Sequence, residues 1–458
     1  MDRKNSTLLG LITVIFKVAS GLIVYPIALK CLNSFDLSIY LLIISTASLF
    51  ELLDFNFTGN LIRYFSYIEG GSQSQDKNIF IEENFSNSGS SLFCELLLMA
   101  KLYYKLLCVF CFILIGIGFS FYLYFFTKSH HQAFFYYECN WLLYSTAVLL
   151  SVYFMYLAPA LISKGMIDKV NKISLISKLS GVIVQLILIY WLGLPALLIG
   201  AFVTTIVERT ILYNLFAKVI NFDIKIKLDQ NRFWYILKIF WQNNYRLGLI
   251  ALIWLFLNKL SSFVAGFSIT DTHQLAEFLF SMQIFSLASF LASVPINNNF
   301  SDISTFIVNN KSQAIKLFLK NNRQSLLLLI SISIAVVIFG HSISELLKLK
   351  HSFLEIKYLL VIILINILDK QLLNNSTMIT IFNQIPMLKA YLISAIVITV
   401  SIFIGCFIFH LGIWGLLIPQ LIVQSLYNYW YWVYYNIKLM LISVKDYSNS
   451  LFLGKINL

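Results

Sequence analysis

The chain has 458 residues, of which 59% are hydrophobic and only 12% charged, and its formal net charge is +12 at pH 7. A soluble globular chain is about one-quarter charged, so this composition excludes an ordinary water-soluble domain. Long apolar runs without strict alternation predict helices in lipid and not the short alternating strands of a membrane barrel.

Apolar windows of about 20 residues, the length of a membrane-spanning helix, can be placed twelve times along the chain. The first window is longer than the apolar part of a signal peptide and lacks a small-residue cleavage site, so we expect it to be retained. We place the spans at residues 7–29, 38–60, 102–126, 141–163, 173–192, 194–217, 245–267, 274–296, 325–346, 353–382, 389–410 and 412–435.

The second span ends in the polar stretch "FELLDFNFTGNLIRYF", which contains Glu51, Asp54 and Arg63. Glu51, Asp54 and Thr58 are three and four residues apart, which predicts one helix face directed into the bundle or a wet cavity. A charge at the bilayer centre costs about 2.5–3.5 kcal/mol. The acids are therefore either functional or paired with a buried cation. We expect Arg63 at the cytoplasmic headgroups.

Cysteines and histidines give no clear site. Cys108 and Cys111 form a C-x-x-C inside an apolar span, which favours packing over metal or redox chemistry. All six histidines fall in outer loops or at outer span ends. Interfacial placement is the simpler interpretation, and a metal or pH-sensing cluster is the alternative. We predict no metal, no cofactor and no catalytic residue.

Four basic residues lie within spans: Lys17, Arg209, Lys259 and Lys370. In the tenth span, a polar stripe places most of its members on one helical face: Asn366, Asp369, Lys370, Asn374 and Thr377. One interpretation is a set of structural ion pairs between the four cations and the acids Glu51, Asp54, Glu208 and Asp369. The other is a cationic cavity between two halves of the chain, where lysine would suit a phosphate as a point charge.

The positive charges are asymmetrically distributed. If the N-terminus is cytoplasmic, 24 of the 33 lysines and arginines lie in cytoplasmic segments or at cytoplasmic span ends, and five lie outside. This bias follows the positive-inside rule and predicts that both termini are cytoplasmic. Topology and anionic lipid therefore explain the positive charge, and we expect no nucleic acid as a partner.

The chain repeats itself weakly. "LGLITVIFKVASGLI" at Leu9 is echoed by "LGLIALIWLFLNKLS" at Leu247, and "LGLPALLIG" at Leu192 by "LGIWGLLIP" at Leu411, with five of nine positions identical in the second pair. These matches predict two six-span halves, residues 1–217 and 245–458, joined by a cytoplasmic linker, 218–244. The linker segment "NRFWYILKIFW" is typical of an interfacial amphipathic helix.

The end of the second span resembles the "LDLG…R" pattern of the MOP superfamily, the multidrug/oligosaccharidyl-lipid/polysaccharide exporters. Leu53, Asp54 and Arg63 match, and Asn56 stands where a glycine is commoner. With twelve spans in two halves, the chain is most similar to the Wzx-type O-antigen and capsule repeat-unit flippases. The resemblance implies an all-α, polytopic, MATE-like membrane fold of twelve helices in two six-helix bundles.

The resemblance also implies a function and a substrate. Such a flippase moves oligosaccharide repeat units linked to undecaprenyl diphosphate across the bacterial inner membrane by alternating access. We expect the lipid-linked diphosphate to meet Lys17, Arg63, Arg209, Lys259 and Lys370. We expect sugar hydroxyls to meet Gln283, Asn297, Asn366 and Asn374, and coupling to protons or sodium to use Glu51, Asp54 or Asp369. Further expected partners are membrane lipid, a polysaccharide polymerase and a chain-length regulator.

Two other functions are weighed against this one. A multidrug or cation exporter of the same superfamily predicts a cavity dominated by acids, so Lys17 and Lys259 count against it. An enzyme is disfavoured because the sequence contains neither a nucleophile–base set nor the motifs H-E-x-x-H and G-x-x-x-x-G-K-[ST]. We therefore predict a transporter and not an enzyme.

Overall fold

A computed structural model of the chain describes residues 21, 23–55, 57–69, 89–220, 230–382, 384–452 and 454. Within these ranges the regular structure is helical and no strand occurs, which confirms the all-α fold. By length and composition, seven of the described helices could cross a membrane. The helices are Ser34–Leu52, Phe57–Glu69, Gly89–Cys111, Phe112–Ile117 (a π-helical turn), Gly118–Ser129, Phe134–Tyr153, Leu157–Ser163, Ile167–Leu192, Leu194–Val219, Gln230–Ser268, Thr272–Ala292, Val294–Asn298, Phe300–Asn309, Lys311–Leu346, Ile356–Ile381, Leu388–Phe403, Ile404–Ile408 (a second π-helical turn), Ile413–Leu426, Asn428–Met440 and Val444–Phe452.

Helices cover most of each predicted span from the second to the twelfth, with short breaks inside several of them, because apolar length locates such segments. Only the end of the first span, from residue 21, lies within the described residues. The last span consists of two helices, Ile413–Leu426 and Asn428–Met440, which meet at Tyr427 with φ −142° and ψ −57°. A short C-terminal helix, Val444–Phe452, follows.

The described contacts divide the chain into two compact units. The N-terminal unit comprises Met1–Leu32 and Ile43–Leu252, and the C-terminal unit comprises Asn33–Leu42 and Ile253–Leu458. Residues 230–244, which we predicted to belong to a linker, are helical and continue directly into the seventh span. The bundle limits 1–217 and 245–458 stay a prediction.

The second pair of repeated segments has the same backbone geometry in both copies. Gly193 lies between two helices with φ 62° and ψ −125°, and its aligned counterpart Gly412 has φ 55° and ψ −129°. L-residues with a Cβ rarely adopt this region, so glycine permits the abrupt reversal between adjacent helices. The same backbone reversal therefore accounts for the glycine that the two segments share.

We predict that Gly412→Ala lowers the melting temperature of the purified protein. No atom lies within 4 Å of the position where a Cβ would be added, so the cost is conformational, about 1–3 kcal/mol. Gly118→Ala is the matched control, because Gly118 is helical and also has open space around it. Equal melting temperatures for the two variants would contradict the backbone argument.

Small residues allow close helix packing in the N-terminal unit. Helix Ile167–Leu192 packs on helix Leu194–Val219 where Gly181 faces Gly200. A Cβ added at Gly181 would collide with Thr204 Oγ1 and lie 2.6 Å from the Gly200 carbonyl oxygen. Such contacts are typical of membrane helices, where small residues let the backbones approach.

Candidate functional site

Polar side chains are concentrated in the interior of the C-terminal unit, where the ninth, tenth and twelfth spans and the C-terminal helix meet. Bulk water does not reach such groups inside an apolar bundle, so each needs a partner within the protein or a bound molecule. The buried members include Asn322, Ser325, Asp369, Lys370, Asn374, Asn375, Gln420, Gln424, Asn428 and Asn436.

Asp369 and Lys370 are adjacent in sequence but bind different groups. One carboxylate oxygen of Asp369 accepts a hydrogen bond from the Tyr429 hydroxyl at 2.7 Å, and the other accepts one from Gln420 Nε2 at 3.0 Å. The ammonium group of Lys370 donates to Ser293 Oγ at 2.6 Å. Both charges are thus buried and held by neutral hydrogen-bonding groups.

The ion-pair interpretation of the buried charges does not describe these side chains. Asp54, Asp369 and Lys370 form no ion pair within 4.0 Å of another described residue. Their direct partners are hydroxyl, amide and phenol groups. Within the described part of the chain, each of these groups is therefore held by neutral partners.

The amides predicted to meet sugar hydroxyls have different surroundings. Asn374 is buried one turn from Lys370 and donates to Asn322 Oδ1 at 2.9 Å and Ser325 Oγ at 3.0 Å. Asn366 is partly exposed and donates to the carbonyl of Ile362 on its own helix. Gln283 is partly exposed and Asn297 is exposed. The structure therefore places only Asn374 within the buried polar cluster.

The predicted common helix face of Glu51, Asp54 and Thr58 is wrong. Helix Ser34–Leu52 ends before Asp54, and the chain turns through Phe55 at φ 50° before helix Phe57–Glu69 begins. Asp54 caps this second helix by accepting a hydrogen bond from the Thr58 backbone N–H at 2.9 Å. A single continuous helix, which the spacing rule assumes, is not formed here.

Asp54 is nevertheless buried and fixed by side chains. Its other carboxylate oxygen accepts a hydrogen bond from the Tyr104 hydroxyl at 2.8 Å, and that hydroxyl lies 2.8 Å from Thr58 Oγ1. The adjacent Phe55 packs against Gly248, where any added Cβ would overlap its ring. The turn therefore orders a buried acid in the N-terminal unit.

Two other predicted cations, Arg209 and Lys259, have different surroundings. Arg209 donates a hydrogen bond from Nη2 to Ser151 Oγ at 2.6 Å in the N-terminal unit. Lys259 is partly buried on helix Gln230–Ser268, and no described residue forms a hydrogen bond or ion pair with it. Lys17 lies outside the described residues, as do the side chains of Glu51 and Arg63.

Sequence reasoning missed the partners contributed by the last span. Buried side chains with hydrogen-bonding groups recur there at every fourth position, so that each lies beside the next along the span. This row, which we call the amide row, consists of the amides Gln420, Gln424, Asn428 and Asn436 and the indole of Trp432. This four-residue spacing is visible in the sequence, but an average hydropathy over the whole span does not reveal it.

Two of the histidines lie together at the predicted outer end of the C-terminal unit. The rings of His273 and His351 are 5.1 Å apart, and His273 Nδ1 lies 3.6 Å from Glu277. Within the described ranges, no group of three or more potential ligands could hold a metal ion. For His273 and His351, the two remaining interpretations are placement at the membrane interface and pH sensing.

Comparison with known proteins identifies the fold. No family model matches the chain, and no curated protein matches it. A solved multidrug resistance MATE family transporter of the MOP superfamily, inward-facing, is 12% identical with a TM-score of 0.61, covering 93% of this chain and 94% of that one. An outward-facing transporter of the same description is 14% identical with a TM-score of 0.57, covering 95% and 93%.

A lipid-transporting protein has the same fold. The lipid II flippase MurJ, in an inward closed conformation, is 16% identical with a TM-score of 0.56, and the match covers 97% of this chain and 90% of that one. The chain therefore has the all-α, polytopic membrane fold of these transporters over nearly its whole length. This result confirms the MATE-like architecture expected from the sequence.

Proposed function

We propose that the chain is a flippase that carries oligosaccharide repeat units linked to undecaprenyl diphosphate across the bacterial inner membrane, for O-antigen or capsule synthesis. The fold that it shares with MATE transporters and with a lipid II flippase supports transport by alternating access. In this proposal both termini are cytoplasmic, and a polymerase and a chain-length regulator act after translocation.

The observation that carries the proposal is the environment of Lys370. An ammonium group is expensive to bury in a bundle at membrane depth, and such residues are usually functional. Lys370 is 1% exposed, and its hydrogen-bond partner is the hydroxyl of Ser293, not a carboxylate. A diphosphate needs an available positive charge of this kind.

Neighbouring groups suit the sugar part of the substrate. Asn374 follows Lys370 by one helical turn and joins Asn322 and Ser325 in a neutral hydrogen-bonding cluster. Amides and hydroxyls both donate and accept, so they can exchange their mutual hydrogen bonds for those of sugar hydroxyls. Arg63, Arg209, Lys17 and Lys259 complete the proposed set of cations.

Coupling to an ion gradient is assigned to the buried acids Asp54 and Asp369. Each is held by neutral donors, so protonation or sodium binding would change its charge without breaking an ion pair to a described residue. Transport is measured in vesicles with and without proton and sodium gradients, for the wild type and for Asp369→Asn. A transport rate unchanged by the gradients and by the substitution would reject this part of the proposal. Glu51 is a third candidate for the same role.

We predict that Lys370→Met abolishes function in a strain whose own repeat-unit flippase is deleted. The methionine keeps the unbranched shape of the side chain, one atom shorter, but removes its charge, so the diphosphate loses its buried partner. Surface polysaccharide is the readout, with membrane abundance of the variant measured beside it. Lys357→Met is the control, because Lys357 has an exposed side chain paired with Glu355. Wild-type polysaccharide with Lys370→Met would overturn the cationic site.

A multidrug or cation exporter is the second candidate. The similarity to MATE transporters and the buried carboxylates of Asp54 and Asp369 favour it. Drug susceptibility of a strain expressing the chain separates the two functions, because an exporter protects against cationic drugs and a dedicated lipid flippase does not.

A further inference from the structure

The hydroxyl of Tyr447 is a hydrogen-bonding hub that joins the C-terminal helix to the interior of the C-terminal unit. It lies within reach of the donors Gln371 Nε2 at 2.7 Å, Asn375 Nδ2 at 2.9 Å and Asn322 Nδ2 at 3.2 Å. It also donates to Asn375 Oδ1 at 3.0 Å, which accepts from Asn436 Nδ2 at 2.8 Å. Burial raises the pKa of Tyr447 to about 12, so the hydroxyl keeps the proton it donates.

The described protein groups do not satisfy every hydrogen-bond donor and acceptor of this network. A hydroxyl oxygen has two lone pairs, yet three amide donors approach Tyr447. At the same hub, Gln371 Oε1 and Asn436 Oδ1 are buried and accept no hydrogen bond from a described residue. Turning the Gln371 amide over only exchanges an unpartnered oxygen for an unpartnered nitrogen.

The same imbalance recurs along the amide row. Asn428 donates to Gln424 Oε1 at 2.7 Å, and Trp432 donates to Asn428 Oδ1 at 2.9 Å. Gln424 Nε2 is buried and has no acceptor among the described residues. The row runs from Gln420, which binds Asp369, across the junction between the two helices at Tyr427 to Asn436 at the hub.

We propose that the interior of the C-terminal unit binds water along the amide row, with one site at the Tyr447 hub and another at Gln424. At the hub, one water molecule donates to both Gln371 Oε1 and Asn436 Oδ1. At Gln424, a water oxygen accepts from Nε2. Buried waters of this kind typically make about three hydrogen bonds to otherwise unpaired polar groups.

Water fits these positions better than a metal cation. At the hub the two free acceptors belong to neutral amides whose N–H groups point into the same network, and these would repel a positive ion. The carboxylate of Asp369 lies at the other end of the row.

Radiolytic hydroxyl-radical labelling tests the proposal, because radicals formed from bound water oxidise side chains that bulk radicals cannot reach. Met378, Met440 and Tyr447 pack in one buried cluster beside the hub and serve as internal reporters. Met99, fully buried in the N-terminal unit, is the reference. We expect the three reporters to be oxidised several-fold faster than Met99, as measured by mass spectrometry of the purified full-length protein without substrate.

A double variant, Gln371→Leu with Asn436→Leu, removes both free acceptors at similar volume and should bring labelling of Met440 down to the level of Met99. Unchanged labelling in a folded double variant, or reporters no faster than Met99 in the wild type, would overturn the proposal. If the double variant does not fold, the wild-type comparison alone decides. Labelling that depends on sodium would show a cation in place of water and also overturn it. The labelling is measured without substrate and does not depend on transport. The proposed water sites and the proposed flippase function can therefore be rejected independently of each other.

Discussion

Alanine in place of Gly181 will strongly lower the thermal stability of the purified protein. The added Cβ would lie 2.6 Å from the Gly200 carbonyl oxygen, and a backbone atom cannot rotate away as a side chain can. Helices Ile167–Leu192 and Leu194–Val219 would have to separate, which loses packing along both. We expect a cost at the upper end of the roughly 1–3 kcal/mol that overpacking typically causes.

Gly118→Ala provides the comparison for this experiment too. Gly118 lies in a helix with nothing within 4 Å of its added Cβ, so alanine there should leave the melting temperature unchanged or raise it slightly. Gly200→Ala should behave like Gly181→Ala, because its Cβ would lie 2.7 Å from the Gly181 carbonyl. A melting temperature for Gly181→Ala equal to that of Gly118→Ala would show that the two helices do not approach this closely.

Asp369→Asn will destabilise the C-terminal unit and abolish the proposed transport. The amide keeps the shape of the carboxylate but replaces one acceptor oxygen by a donor, so Tyr429 or Gln420 loses its partner. A buried donor left without an acceptor costs about 1–3 kcal/mol. Thermal unfolding in detergent measures the first effect, and complementation measures the second.

Two further variants separate this mechanism from a general loss of stability. Asp302→Asn changes an exposed aspartate on helix Phe300–Asn309 and should have little effect. Tyr429→Phe should cost less stability in the Asp369→Asn background than in the wild type, because the two residues share one hydrogen bond. Strictly additive costs would mean that the Tyr429–Asp369 contact does not form.

The sequence was sufficient to locate the helices because lipid imposes a length and a composition on each span. Residues 173–192 and 194–217 were separated correctly at Gly193, since no other residue type supports that reversal. Whether a span forms one continuous helix was harder to predict. The break after Leu52 depends on a positive φ at Phe55. Phenylalanine rarely adopts a positive φ, so its presence in the sequence does not predict this turn.

For the candidate site, the sequence identified charges but not their partners. Asp369 and Lys370 were recognised because ionisable groups are rare at membrane depth. Their partners Gln420, Tyr429 and Ser293 lie 51, 60 and 77 residues away, so tertiary packing decides the contacts. Asp54 shows the same limit, because its capping role depends on a turn that periodicity does not encode.

The amide row has a consequence for biogenesis. A final span that carries the amides Gln420, Gln424, Asn428 and Asn436 is a poor substrate for release from the translocon into lipid by itself, because each amide would enter hydrocarbon without a partner. Its partners are already present on the tenth span, in Asp369 and Asn375. Insertion of the final span should therefore be assisted by the earlier helices, so that membrane integration and tertiary assembly of this region occur as one event.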